Sequence, residues 1–423
     1  MTAIDAWRSF LRREEFARHK FTGLVPSRPT VDIMHGDLEC RYTFPTPEGD
    51  SPGVLNLPWL RANRETKPAP YRILTTDLKE RDVVLGGLGK AAECLRLAVK
   101  SRGHVVLLNS ACVPDLTGED AARLLAPHKG APVLYHPSDG KDVAPVILRD
   151  LIRLSGLRKT RKAPGSVALI GYPGGRAQRE LVALLERARV RVRACVLPDL
   201  SARALRRASA AACSVVFSSR ILESLCRGLL EEFKLPVVRP PSPYGLEGTK
   251  KWLDSVASSV GRDGSAAWRS AALRILPEWA EMTRQARDYR LGFILDPSEL
   301  PRLSEPAWNA GIPLVEAVKE MGFGIDYFVY AEQEQGRFGR GERHRLHAFR
   351  SEGELDTLIR GGGCHAFYSD CYRDRRLTRR GKAQFSLDAF EPGPQGALRT
   401  LRRLLDVCRL PFYPRYGGYL AEG

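Results

Sequence analysis

Val105-Val106-Leu107-Leu108-Asn109-Ser110-Ala111-Cys112-Val113-Pro114 carries an apolar strand directly into a cysteine-bearing loop. Four aliphatic side chains in succession, closed by Asn109 and Ser110, read as a strand buried on both faces. Working outward, Asp32–Met34, Tyr71–Thr75 and Pro132–Tyr135 read as further strands of the same unit. Helices are expected over Leu88–Lys100 and Gly118–Leu125. Thr117 or Gly118 would cap the second, with Glu119 and Asp120 suited to a helix N-terminus. Pro137-Ser138-Asp139-Gly140 consists wholly of turn formers.

The alternation continues beyond a basic, proline-containing linker at Arg158–Pro164. Ser166–Gly171 reads as a buried strand, Tyr172–Gly175 as a turn and Arg179–Arg187 as a helix. Val190–Leu197, Ala212–Phe217 and Leu235–Val238 are the next strands, with helices after Ser201 and over Ile221–Phe233. A third segment begins near Arg290. It holds strands at Leu291–Leu295, Gly324–Tyr330 and His365–Ser369, and helices at Pro313–Met321, Glu354–Ile359 and Gly396–Val407. Arg337–Arg345 reads as a polar, glycine-rich loop. Strand–helix alternation of this kind builds parallel sheets. The predicted divisions are a helical arm at 1–29 and α/β domains at 30–157, 165–288 and 289–423.

The chain has 423 residues, 43% hydrophobic and 27% charged, the composition of a soluble globular protein. No apolar run approaches the roughly 18 residues that cross a bilayer. Met1–Lys20 reads as a charged amphipathic helix without a secretory pattern, so a cytoplasmic location is expected. The net charge of +17 reads first as basic residues scattered along solvated helices, since no basic block is interleaved with aromatics; an acidic protein partner is as good a use of such a surface as nucleic acid.

Nine cysteines occur without a CxxC pair, so no zinc motif is legible. Cys94, Cys226 and Cys408 fall in helical patterns, and Cys195 and Cys213 in apolar strands, all read as core residues. Gly171-x-x-Gly174-Gly175 lacks the full dinucleotide or P-loop spacing and reads as a tight turn. Gly361-Gly362-Gly363-Cys364-His365, with Cys371 nearby, reads as a turn into a strand rather than a metal loop. His35 and His136 are acid–base candidates. For His35, a hydrogen-bonded, partly buried imidazole is the favoured reading. By composition alone, Cys40 and Cys112 are equally well read as buried cysteines or as ligands.

Three segments shift that balance: His35-Gly36…Cys40, Thr75–Gly87, and Ser110-Ala111-Cys112-Val113-Pro114…Gly118-Glu119-Asp120. In this order they resemble the catalytic component of nitrogenase and nitrogenase-like reductases. Tyr135–Gly140 and Gly393-Pro394-Gln395-Gly396-Ala397-Leu398 are similar to the β-type subunits. The resemblance implies three Rossmann-like α/β domains with parallel sheets. It implies pairing with a homologous α-type subunit as a heterodimer or heterotetramer. A dimeric iron protein would deliver electrons and hydrolyse the ATP, which this chain would not use. No nucleic acid or membrane partner is implied.

Cys40 and Cys112 match the second and third of three cysteines that grip an iron–sulfur cluster at the subunit interface. The first cysteine has no counterpart in Glu14–Thr30. The cluster would then be an altered eight-iron (P-cluster-like) form or a four-iron form, with Ser138 or Asp139 as a substitute oxygen ligand, or it would be absent. Ser218 stands where α-type subunits have their cofactor cysteine, and Phe385–Gln395 has no histidine. The active-site cofactor is therefore expected in the partner. The resemblance extends to reductive carbon–sulfur cleavage by methylthio-alkane reductases. The alternatives are a cofactor-assembly scaffold of the same fold and a metal-free regulatory or binding protein.

Overall fold

A computed structural model describes residues 25–26, 30–43, 71–100, 105–125, 133–136, 152, 161–197, 199–200, 202–220, 223–331, 344–369 and 374–421. A two-residue strand, β1 (Val25–Pro26), comes first. The first sheet is built from β2 (Thr30–His35), β3 (Tyr71–Thr75), β4 (Val105–Ser110) and β5 (Val133–His136), in the order β3-β2-β4-β5. The second uses β6 (Ala163–Ile170) and β7 (Arg191–Val196). Next in the chain, β8 (Asp199–Leu200) pairs with β1. β9 (Ala211–Val216) and β10 (Val237–Val238) complete the second sheet, in the order β10-β9-β6-β7. The third holds β11 (Arg290–Leu295), β12 (Gly324–Tyr330), β13 (His344–Phe349), β14 (Ala366–Tyr368) and β15 (Ala383–Phe385), in the order β13-β12-β11-β14-β15.

Every strand pairing is parallel. Helices must therefore return the chain between strands and cover both faces, which is why the central strands are continuous apolar runs. Val167 through Ile170 of β6 are all fully buried, as are Leu291 and Phe293 of β11. Among the described residues, the first sheet has its own core of Val31, Ile33, Leu95, Ala98, Val106, Leu108 and Ala121. The second and third share one larger core, which runs from Val167 and Leu169 through Trp252 and Phe293 to Leu401 and Leu404. Gly311, at φ +87°, fits between them: a Cβ there would lie 2.1 Å from the Phe217 ring. Ion pairs fasten the same junction. Arg176 binds Glu391, and Arg399 binds both Glu391 and Glu180.

Several expectations need correction. Thr117 and Gly118 close a helix rather than open one. The helix is Cys112–Leu116, with Thr117 donating its N–H to Val113 and Asp115 carbonyls and Gly118 at φ +75°. Pro114 suits its first turn because no N–H is needed there. The residues beyond form a 3-10 turn, Ala121–Leu125. Ala163 and Pro164 belong to β6, not to a linker. His344 and Arg345 open β13 rather than ending a loop. Within the 1–29 arm, Val25–Pro26 is strand rather than helix. Helices Gly245–Ser259, Ser265–Ala272 and Leu276–Ala286 fill a stretch for which the sequence reading offered no element. The Met1–Lys20 helix, the Pro137–Gly140 turn and the Ser201 cap lie outside the described residues. Among the described residues, no helix is long and apolar enough to cross a membrane.

Candidate functional site

Strands β2 and β4 are neighbours in register, with His35 opposite Ser110. Both therefore end at the same level, and the loops that follow emerge side by side. The Ala111 N–H donates to the His35 carbonyl at 2.8 Å and fixes this junction. Gly36 is pinched there: a Cβ would lie 2.6 Å from the Ala111 Cβ and 3.3 Å from the Cys40 Sγ. Cys40 is half-buried on the short Leu38–Thr43 helix, its N–H held by Asp37 Oδ1 at 2.8 Å. Cys112 opens the Cys112–Leu116 helix and is exposed. Burial pushes the Cys40 thiol up, and the Asp37 carboxylate and the neighbouring Cys112 thiol add to the rise. A thiol held protonated is a poor free nucleophile. It becomes a thiolate on binding a metal, which displaces the proton.

Behind the two thiols lies a buried lock. His35 is fully buried; its Nδ1 is hydrogen-bonded to Thr76 Oγ1 at 3.2 Å and its Nε2 to Glu119 Oε2 at 3.0 Å. The other Glu119 oxygen accepts the Gly87 N–H at 2.6 Å. Thr76 Oγ1 accepts the Gly36 N–H at 3.0 Å and donates to the Gly36 carbonyl at 3.1 Å. These bonds tie together the three segments that carry the sequence resemblance. His35 is thus a structural imidazole rather than an acid–base group. Sequence reasoning missed Glu119 in this role, since its acidic neighbourhood suggested only a helix start.

The elements that carry the thiols, and the helix beside them, expose apolar side chains among charged ones. Leu38 precedes Cys40 by two residues, and Leu116 follows Cys112 by four. Leu78, which donates its N–H to the Gly36 carbonyl, leads into the Glu80–Leu85 helix, none of whose residues is buried. Val84 and Leu116 are 82% and 85% exposed, and Leu38, Val83 and Leu85 are exposed too. Burying a residue of this kind contributes about 1.5–3 kcal/mol, so a patch of them marks an interface.

The other candidates do not join this site. Ser138 and Asp139 lie outside the described residues, as does Cys371, and nothing is described of the His136 side chain. Ser218 follows β9 in the second sheet. Cys364 is buried, donating its thiol to Asp326 at 3.1 Å, and His365 accepts the Arg290 N–H, so the pair is structural. The Tyr172–Gly175 segment is the tight turn expected, leading into the Gly175–Arg187 helix. Cys213 and Cys226 are buried, while Cys94, Cys195 and Cys408 are half-buried. Among the described residues, no group of three or more His, Cys, Asp or Glu side chains could hold a metal ion within the chain. The donor type of the two thiols suits iron–sulfur chemistry, and Gly36 places no side chain against the Cys40 sulfur, where a Cβ would lie 3.3 Å away.

Comparison with known proteins agrees with the sheet topology. The family model for nitrogenase component 1 type oxidoreductases matches residues 56–337, more than half of the chain. A curated relative, the nitrogenase iron-molybdenum cofactor biosynthesis protein NifE of Nostoc sp. (strain PCC 7120 / SAG 25.82 / UTEX 2576), is 25% identical over 264 residues. That alignment covers 56% of this chain and 49% of the relative, so the chain spans about half the length of the curated relative it matches. Two solved structures of nitrogenase Cp1, at pH 5 and pH 6.5, superpose with TM-scores of 0.65 and 0.64. Each covers 94% of this chain and 88% or 89% of its own, at 14% and 13% identity, a likeness of fold. With its three parallel sheets and this match, the chain belongs to the nitrogenase component 1 type oxidoreductase family.

Proposed function

We propose that the chain is the β-type subunit of the catalytic component of an ATP-dependent two-component reductase. The observation that carries this reading is the convergence of Cys40 and Cys112 inside an exposed apolar rim. In this reading the two thiolates hold one half of an interface iron–sulfur cluster, either P-cluster-like or four-iron, with Ser138 as an added oxygen ligand. A homologous α-type subunit supplies the other half and carries the active-site cofactor. When bound, such a cluster supplies one-electron transfer at low potential. This chain's residues position and shield. Asp37 fixes the Cys40 backbone, the His35–Thr76–Glu119 lock holds the two loops in register, and the apolar rim excludes water once covered. A dimeric iron protein hydrolyses ATP and delivers the electrons. The division into domains at 30–157, 165–288 and 289–423 and a cytoplasmic location belong to the same proposal. So does reductive cleavage of methylthio-alkanes as the reaction.

Similarity to NifE favours a second reading, a cofactor-assembly scaffold of the same fold. Anaerobic purification from the native host, with identification of bound subunits, iron analysis and EPR, tests both. Copurification of a homologous subunit, with an EPR signal lost in Cys40→Ala and Cys112→Ala, is expected. A chain that purifies alone and without iron refutes both. Turnover of a methylthio-alkane with iron protein and ATP selects the reductase. Transfer of a metallocluster to a recipient protein without turnover selects the scaffold.

A further inference from the structure

We propose that the N-terminal edge of the second sheet is a docking face for a protein that presents a carboxylate-rich surface. Three adjacent strands, β9, β6 and β7, begin there side by side. The residues leading into them are basic. Arg161 and Lys162 precede β6, Arg189 and Arg191 lead into β7, and Arg206 and Arg207 end the helix before β9. All six are exposed. Contacts bring them to one face: Lys162 donates to the Ser209 carbonyl at 2.8 Å, Arg191 donates to the Pro164 carbonyl at 3.2 Å, and Ala163 N–H donates to Ala210. Arg262 reaches the same edge, its guanidinium lying 3.5 Å from where a Gly165 Cβ would sit.

Several arginines elsewhere are matched to acids, as Arg176, Arg399 and Arg403 are to Glu391. Among the described residues, none of these six side chains is in an ion pair. The nearby acids are Glu186, on the last turn of the Gly175–Arg187 helix, and Asp263, whose Oδ1 already accepts from Ser265. Three helix C-termini, at Arg187, Ser209 and Ser259, lie at this edge. Each favours a nearby cation. One cation per terminus satisfies that effect, and the surplus calls for an anionic partner.

A protein fits better than nucleic acid. Val237 of β10 is exposed in this sheet, but none of the residues leading into β6, β7 and β9 is an exposed aromatic, so the face has no platform for stacking bases. The helices point their carbonyl ends outward, the opposite of the N-termini that receive phosphates. Guanidinium forks instead match carboxylates in pairs.

The test uses the full chain, or its purified complex, with two labelled probes: poly-L-glutamate and a single-stranded oligodeoxynucleotide of equal charge. Binding is read by fluorescence anisotropy at physiological salt. The variant R189E/R191E/R206E/R207E is compared with R239E/R287E/K319E/R345E, exposed residues away from this edge that make the same change in net charge. The neutral R189Q/R191Q/R206Q/R207Q serves if charge reversal disturbs folding. The patch variants are expected to weaken polyglutamate binding about tenfold or more, with the control variant within about threefold of the parent. Equal losses in patch and control variants overturn the proposal, as does tighter binding of the oligonucleotide than of polyglutamate, or no binding of either.

Discussion

Replacing Glu391 by glutamine should lower the stability of the native fold by up to about 3 kcal/mol. The Glu391 carboxylate is mostly buried, 12% exposed, and accepts from Arg176, Arg399 and Arg403. Burial pushes its carboxyl up, and the three guanidiniums outweigh that, holding it at about 2 against an ordinary 4.5. A depression of that size corresponds to roughly 3 kcal/mol of native stability that requires the charged form. Arg176 leads the three in lowering the carboxyl but is 55% exposed, so solvent screens its share and about 3 kcal/mol is an upper figure. The sign follows from the direction. The contribution is complete above the unfolded carboxyl value and is lost as pH falls from 4.5 towards 2. Urea unfolding of parent and E391Q at pH 7 should therefore differ by up to about 3 kcal/mol, and the gap should narrow steadily below pH 4.5. A gap under about 1 kcal/mol at pH 7, or one that does not narrow on acidification, refutes the reasoning.

Asp326→Asn strips the carboxylate from the buried Arg290 pair and weakens the Cys364 bond; thermal and urea unfolding should show a loss of about 3–5 kcal/mol. Gly36→Ala drives a methyl to 2.6 Å from the Ala111 Cβ and should lower stability by about 1–3 kcal/mol in the same assays. Gly89→Ala, which has open space within its helix, should be neutral or slightly stabilising. Val84→Lys with Leu116→Lys should leave unfolding unchanged but abolish copurification of the proposed partner subunit; retained association would place the interface elsewhere.

Much of the fold was legible because a central parallel strand must be apolar along its whole length. The edge strand Tyr71–Thr75 and the inner strand Gly324–Tyr330 could be bounded to the residue by their aromatic and aliphatic side chains. The helices of 245–286 were harder. Leu246, Thr249, Trp252, Leu253 and Val256 do lie on one buried face, but glycine at 245 and 248 and serines at 255, 258 and 259 break the apparent pattern. The misread start at Thr117 has a similar cause. Local capping chemistry suggested a helix N-terminus, whereas the Glu119 carboxylate is committed to His35, 84 residues away. Cys40 and Cys112 could be singled out only through flanking residues that resemble a family. The lock behind them could not be read, because Thr76 and Glu119 meet His35 through sheet register rather than spacing.

The core of the first sheet is separate from the one shared by the other two, which sets a distinct energy scale for local opening. Among the described residues, Val31, Ile33, Leu95, Ala98, Val106, Leu108 and Ala121 form it, behind the strands that lead to the two thiols. The second and third sheets share a core of their own. Amides of β2 and β4 should therefore exchange with solvent through sub-global fluctuations that leave the rest of the molecule folded. Such breathing would let the loops that bear Cys40 and Cys112 shift relative to each other while the rest of the molecule stays folded.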